Sequence, residues 1–368
     1  MRTPLTLAAL ASAAVPGLNP VSVEGAVLKP GHQFEVAFIH DTQQRRWVVR
    51  APKSAAAGAQ MDVSVSLLAL LSRRLPFSVP TPKGFVDLKE GGRAVVYPHI
   101  AGRPLSFSRL PGGPGIAAEV GRALASLHNV DLALCEEAGL TSYDPDTYRT
   151  RRLSDLDRAA TTGHVPAGLL TRWERSLEDV SLWRFAPTPT HGDLTGDDVL
   201  AVFDDENDAR TGHVRGLTGW ENAKVADPAD DFATLVTSAS AAALDSVFEA
   251  YAQARVDRPD KHLQRRARLA GELKLVSELL GAVGAHDQGR IKACATRLRR
   301  LEDDPLDDES DEEPVVPTAP SARPSPIALT VPTAPVDKPH KDHADDYHAD
   351  DNHADDNEAE RDGPPKAM

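Results

Sequence analysis

The apolar residues of this chain change period once along its length. From Val21 to Pro98 they fall in short strand-like runs divided by turn residues, with one helical stretch among them. From Gly115 to Val283 they recur mostly every three or four residues. The first pattern builds a half-buried sheet, the second helices with one apolar stripe. Sheet, one helix, more sheet and then helices is the order of an α+β fold. It has a small sheet-containing N-terminal lobe of roughly one hundred residues and a mostly helical C-terminal lobe.

The strand runs are Val21 to Leu28, closed by Lys29-Pro30-Gly31; Phe34 to His40, closed by Asp41 to Gln44; and Arg46 to Arg50, with Trp47 and Val49 on one face. A helix with Leu67, Leu68, Leu70 and Leu71 follows and ends before Pro76. Phe85 to Leu88 and Arg93 to Pro98 then read as a hairpin around Glu90-Gly91-Gly92. Later, Ile116, Val120, Leu124 and Leu127 mark one amphipathic helix, and Leu269, Leu273, Val276, Leu280 and Val283 another. At the start, Thr3 suits an N-cap and Pro4 a first helical residue, with Leu5, Ala8, Ala9 and Ala13 at helical spacing. That favours a short helix packed on the body over a cleaved secretory signal.

Composition divides the chain a second time. Residues 302 to 368 hold 20 acids and 5 bases, whereas the preceding 301 hold 35 acids and 36 bases, so the formal charge of −14 belongs to an appendage. The same segment carries 11 of the 29 prolines and repeats His-Ala-Asp-Asp from His343, His348 and His353. It cannot bury enough apolar area to offset chain entropy and is expected to be disordered, an acidic tail available to a protein partner. The expected division is 1–98, 99–302 and 303–368. A near-neutral body lacks the basic stripe that nucleic acid requires. No apolar run is long enough to span a membrane. Cys135 and Cys294 have neither metal-ligand nor disulfide-framework spacing, which suits a reducing cytoplasm. A monomer is expected.

Candidate chemistry concentrates in Thr190-His191-Gly192-Asp193-Leu194-Thr195-Gly196-Asp197-Asp198, just before two strand-like pieces, Val199 to Phe203 and His213 to Leu217. A loop so placed holds one carboxylate where an acceptor hydroxyl arrives, while a second side chain five residues on reaches a metal. With Gly219-Trp220-Glu221 following, this segment resembles the aminoglycoside/macrolide phosphotransferase family, relatives of the protein kinases. The family pattern is His-Gly-Asp, four residues, Asn, and later an Ile-Asp-Trp-type strand. The resemblance runs over about residues 1 to 300 and implies a bilobal kinase-like fold using ATP or GTP with Mg2+.

Carried across, the resemblance makes Asp193 the catalytic aspartate that orients the hydroxyl and His191 a support of its loop. Asp198 stands at the metal-binding Asn, and Gly219 at the main metal-binding Asp, which leaves that ligand empty. Glu221, two residues on and on the same face if the segment is a strand, offers a substitute metal ligand, with a surface or hydrogen-bonding role as the alternative. Arg50, at the end of the third strand, stands where phosphates are held, with Lys53 as rival. Its expected glutamate partner is replaced by Ser64, with Asp62 nearby, and Gly31 is weakly placed for phosphate contact. Main-chain groups from Val96 through Tyr97 to His99 would meet the nucleobase. Asp227 and Asp231 are expected to cap a helix and anchor the loop. The implied function is phosphoryl transfer to a hydroxyl of a small molecule, a macrolide or aminoglycoside antibiotic. The alternative is a catalytically weak, pseudokinase-like binding protein, given the altered positions 198, 219 and 64.

Overall fold

The computed structural model describes residues 2–26, 32–89, 91–205 and 207–303. Expectations that fall on Gly31, on Glu90 and on the tail with its partner lie outside the described residues.

The chain opens with α1 (Pro4–Ala14), capped by the Thr3 hydroxyl, which accepts from the Thr6 N–H. Its buried face is Leu7, Ala8 and Ala11; of Leu5, Ala8, Ala9 and Ala13 only Ala8 is buried, and Leu5 is 75 % exposed. Alanine on every side makes the true stripe hard to place from spacing. The strands β1 (Pro20–Gly25), β2 (Phe34–Asp41) and β3 (Arg46–Pro52), the helix α2 (Ala55–Leu71), and the strands β4 (Gly84–Asp87) and β5 (Arg93–Pro98) follow. The strands form one antiparallel sheet ordered β1-β2-β3-β5-β4.

Alternation along β3 decides what each face does. Trp47, Val49 and Ala51 point to α1 and pack with Leu7, Ala11 and Leu18. Val48 points the other way, with Phe34, Met61 and Tyr97 under α2. Arg50 shares that second face and is thereby aimed at the α2 side. Gly84 lies so close to α1 that a Cβ would sit 2.1 Å from the Ala14 carbonyl oxygen. Fully burying a side chain such as Leu7 contributes roughly 1.5–3 kcal/mol.

Beyond the sheet come β6 (Arg103–Pro104), α3 (Ile116–His128), α4 (Leu132–Glu137), α5 (Pro145–Ala160) and α6 (Ala167–Glu178). They are followed by β7 (Thr188–Thr190), β8 (Val199–Phe203), β9 (Gly212–Leu217) and β10 (Lys224–Ala226), then α7 (Ala229–Ser238), α8 (Ala241–Ala254), α9 (Leu263–Gly284) and α10 (Gln288–Asp303). One core gathers α3, α7 and α8 with the β8–β9 hairpin; another gathers α5, α6, α9 and α10. Between them, β7 pairs with β10 through Thr190 and Lys224, and the candidate loop leaves from the end of β7. A buried ion pair locks this junction: Arg266 of α9 donates to Asp227 at 2.7 Å and to Asp260 at 2.7 Å. No described helix is long and apolar enough to cross a membrane.

Candidate active site

The loop after β7 is fixed by hydrogen bonds that start on distant helices. Asp231, in the first turn of α7 and fully buried, accepts from the main-chain N–H of His191 at 2.8 Å and of Gly192 at 2.7 Å. It also accepts from Nε2 of His128, the last residue of α3, whose Nδ1 meets the Tyr251 hydroxyl of α8 at 2.8 Å. Burial works against this carboxylate, yet His128 and the loop N–H groups hold its pKa below the ordinary value. Three helices thus position two consecutive peptide units.

Gly192 turns the loop at φ +87°, and a Cβ there would lie 2.1 Å from the Asn222 carbonyl oxygen. Both the left-handed backbone and the close approach demand glycine. The His191 ring is fully buried, 5.0 Å from the Trp220 ring, and donates from Nε2 to the Thr218 carbonyl at 2.6 Å. It braces the loop from beneath. Asp193 is thereby presented half-exposed to a cavity of about 640 Å³, with Lys274 of α9 on its carboxylate at 2.7 Å.

The Gly219 segment differs from the strand expected there. β9 ends at Leu217, and Gly219 takes φ +81°, which a strand cannot continue, so Trp220–Asn222 form a single 3-10 turn. Gly219 and Glu221 therefore do not share a strand face. A Cβ on Gly219 would sit 2.2 Å from Asp198 Oδ1. The space of a side chain at 219 is occupied by the carboxylate of 198. Asp198 is itself held by Oδ2, which accepts from the Thr195 N–H at 3.0 Å and hydroxyl at 2.6 Å. Burial pushes the Asp198 carboxyl up, and the Glu221 charge adds to that against the pull of His191 and Thr195.

Glu221 pairs with Arg50, whose guanidinium also lies 4.4 Å from the Phe34 ring centroid. Burial opposes the Glu221 charge, but Arg50 outweighs it and lowers its pKa. The partner of Arg50 thus comes from the 3-10 turn, not from α2. Ser64 instead donates to the Trp220 carbonyl at 3.2 Å, Gln60 donates to the Glu221 carbonyl at 2.6 Å, and Asp62 is drawn to Arg93 at 2.8 Å. Tyr97 is buried beside Arg50, which works to lower its pKa, but burial dominates and raises it. Lys53 lies apart, donating to the His32 carbonyl at 2.8 Å. The Val96 carbonyl accepts from the Lys83 main-chain N–H at 2.8 Å and the His99 N–H donates to the Arg46 carbonyl at 2.9 Å, so both already serve the sheet.

Among the described residues no group of three or more His, Cys, Asp or Glu side chains could hold a metal ion. Magnesium needs less, since one or two carboxylates with phosphate oxygens and waters suffice. Asp198 fits that role, with Oδ2 spent on Thr195 and Oδ1 accepting no hydrogen bond among the described residues. Sequence reasoning missed Lys274, which lies inside the apolar repeat of α9. It also missed the buried cluster of Tyr148, Arg152, Lys224 and Asp230, scattered over 83 residues with no local motif.

The chain is similar to known proteins. Residues 24–269 match the phosphotransferase enzyme family, APH. The uncharacterized protein YcbJ of Bacillus subtilis (strain 168) is 26 % identical over 228 residues, 59 % of this chain and 71 % of that protein. The macrolide 2'-phosphotransferase MphH from Brachybacterium faecium superposes with a TM-score of 0.66 at 24 % identity, over 82 % of this chain and 99 % of that one. A macrolide 2'-phosphotransferase type I gives 0.65 at 26 % identity, over 81 % and 98 %. The GDP and kanamycin complex of APH(2")-IIia gives 0.67 at 20 % identity, over 81 % and 98 %. The fold is the bilobal kinase-like one, and the chain belongs to the phosphotransferase enzyme family, APH.

Proposed function

We propose that this chain moves the terminal phosphate of ATP or GTP to a hydroxyl of a small molecule, with Asp193 orienting that hydroxyl. The observation that carries the reading is the loop itself: Asp231 and Gly192 fix its backbone so that Asp193 faces an open cavity. A carboxylate held rigidly beside an acceptor is what phosphoryl transfer asks of the protein, because positioning and charge stabilisation do most of the work. Asp198 would hold magnesium, joined by Glu221 once Arg50 turns toward phosphate. The ion would neutralise charge on the phosphates. His191 braces the loop, and Arg50 rather than Lys53 faces the phosphates. Residues 1–98 serve the nucleotide, with the main-chain groups from Val96 through Tyr97 to His99, other than the two already bound in the sheet, at its base, and 99–302 carry the acceptor. The reaction belongs in the cytoplasm, in a monomer. The macrolide or aminoglycoside acceptor comes to this chain by similarity alone.

The test is transfer of labelled terminal phosphate from ATP or GTP onto a panel of hydroxyl-bearing small molecules. Wild type should label at least one acceptor, and Asp193→Asn should lower that rate by about 10²–10⁴-fold. Equal labelling by the variant would remove Asp193 from the reaction. A second reading, a binding protein with weak transfer, is favoured by one feature: Arg50 is closed on Glu221.

A further inference from the structure

Resting on the phosphotransferase reading, we infer that Lys274 is a positioning residue for Asp193, holding the carboxylate in one orientation and offsetting its charge during transfer. Its ammonium ion-pairs with Asp193 Oδ1 at 2.7 Å and donates to the Thr234 hydroxyl at 2.7 Å. Both ends of this link trace back to α7. Asp231 and Thr234 lie three residues apart on that helix and so share a face. Asp231 fixes the main chain of His191 and Gly192, while Thr234, through Lys274, fixes the side chain of Asp193. Helix α9 delivers the lysine because it runs close to α7. A Cβ on Gly271, three residues before Lys274, would sit 2.8 Å from the Ala233 carbonyl oxygen and 2.5 Å from Thr237 Cγ2.

The clamp matters because Asp193 is half-exposed and would otherwise turn freely. With Oδ1 taken, Oδ2 is the oxygen left for an acceptor hydroxyl, and its orientation is set before the acceptor arrives. Charge matters as well. The acceptor oxygen bonds to the terminal phosphorus as the bond to the bridging oxygen breaks. The nucleoside diphosphate leaves with that electron pair, and the hydroxyl proton passes to Asp193 Oδ2. Phosphoryl oxygens thus approach a carboxylate of like charge, and in a walled cavity that repulsion is stronger than in open water. Lys274 offsets it at the carboxylate itself.

Two measurements on the full chain test this. In the magnetic resonance spectrum of isotope-labelled lysine, the Lys274 ammonium signal, identified by its loss in Lys274→Arg, should shift in Asp193→Asn and in Thr234→Val. A signal that ignores both would show that the clamp is not there. Transfer of labelled terminal phosphate from ATP or GTP, to a panel of acceptors that includes erythromycin and kanamycin, reads the role. Lys274→Met should lower kcat by about 10²-fold and leave KM for the nucleotide within about twofold of wild type. Lys274→Arg, which keeps the charge, should stay within about tenfold of wild type. Thr234→Val should lower kcat about three- to tenfold. In an Asp193→Asn background, Lys274→Met should cost less than about threefold, because the lysine acts through Asp193. The pair is partly exposed, so the unfolding midpoint of Lys274→Met should move by less than about 4 °C; a larger shift would make the lysine structural. A loss of the same size in both backgrounds, or full activity in Lys274→Met, would overturn the inference alone. Wild type that labels no acceptor, while the ammonium signal still responds to Asp193→Asn, would refute the phosphotransferase reading and the role of Lys274 with it.

Discussion

Substituting Gly219 by alanine probes the close packing of this left-handed residue against Asp198. A non-glycine residue at φ +81° costs roughly 1–2 kcal/mol in the left-handed region. The new Cβ would also meet Asp198 Oδ1 at 2.2 Å and Cγ at 2.9 Å, an overlap that overpacked interiors relieve at roughly 1–3 kcal/mol. Gly219→Ala should therefore destabilise the fold by about 2–4 kcal/mol, once the stiffer unfolded chain has returned part of the cost. In an Asp198→Ala background the overlapping atoms are gone, and the same change should cost about 1–2 kcal/mol. A denaturant-unfolding cycle on the four proteins measures the coupling directly. An equal cost in both backgrounds would show that the Asp198 carboxylate does not fill the space at 219.

Two further outcomes follow from the buried carboxylates. Asp231→Asn replaces one acceptor oxygen with an amide donor facing either the Gly192 N–H or the His191 N–H, and should cost about 2 kcal/mol or more by denaturant unfolding; a change within 0.5 kcal/mol would mean the loop is held otherwise. Asp230 is disfavoured as an anion by burial, but Lys224 and Arg152 hold its pKa down from 3.8 to about 2. A depressed carboxylate stabilises the fold above its unfolded value and loses that contribution as pH falls through the folded one, so about 2 kcal/mol should disappear between about pH 4 and pH 2. Unfolding free energies of wild type and Asp230→Asn over that range should converge at the acid end; parallel curves would contradict the pairing.

The sheet and the long helices were legible because their apolar residues repeat at periods two and 3.6. Phe34 to His40, Arg46 to Arg50 and Ile116 to Leu127 sit in β2, β3 and α3. The face of α1 was not legible, since an alanine-rich helix offers small residues on every side. In the site, His-Gly-Asp marked the loop, but nothing local announced that Glu221 would leave the strand direction. One left-handed residue, Gly219, redirects it toward Arg50, and glycine alone does not say which conformation it will take. The cavity charge was hidden for another reason. Arg152, Lys224, Asp230 and Lys274 meet only after α5, β10, α7 and α9 have packed.

Nucleotide binding to the full chain, titrated with ATP and with GTP in the presence and absence of magnesium, is the most direct test of a working phosphotransferase. The account predicts saturable binding of at least one nucleotide that tightens with magnesium. Arg50→Met should weaken it about tenfold or more, the loss of a charge-assisted phosphate contact, and Asp193→Asn should leave it unchanged. Failure of both nucleotides to bind with magnesium present would contradict it.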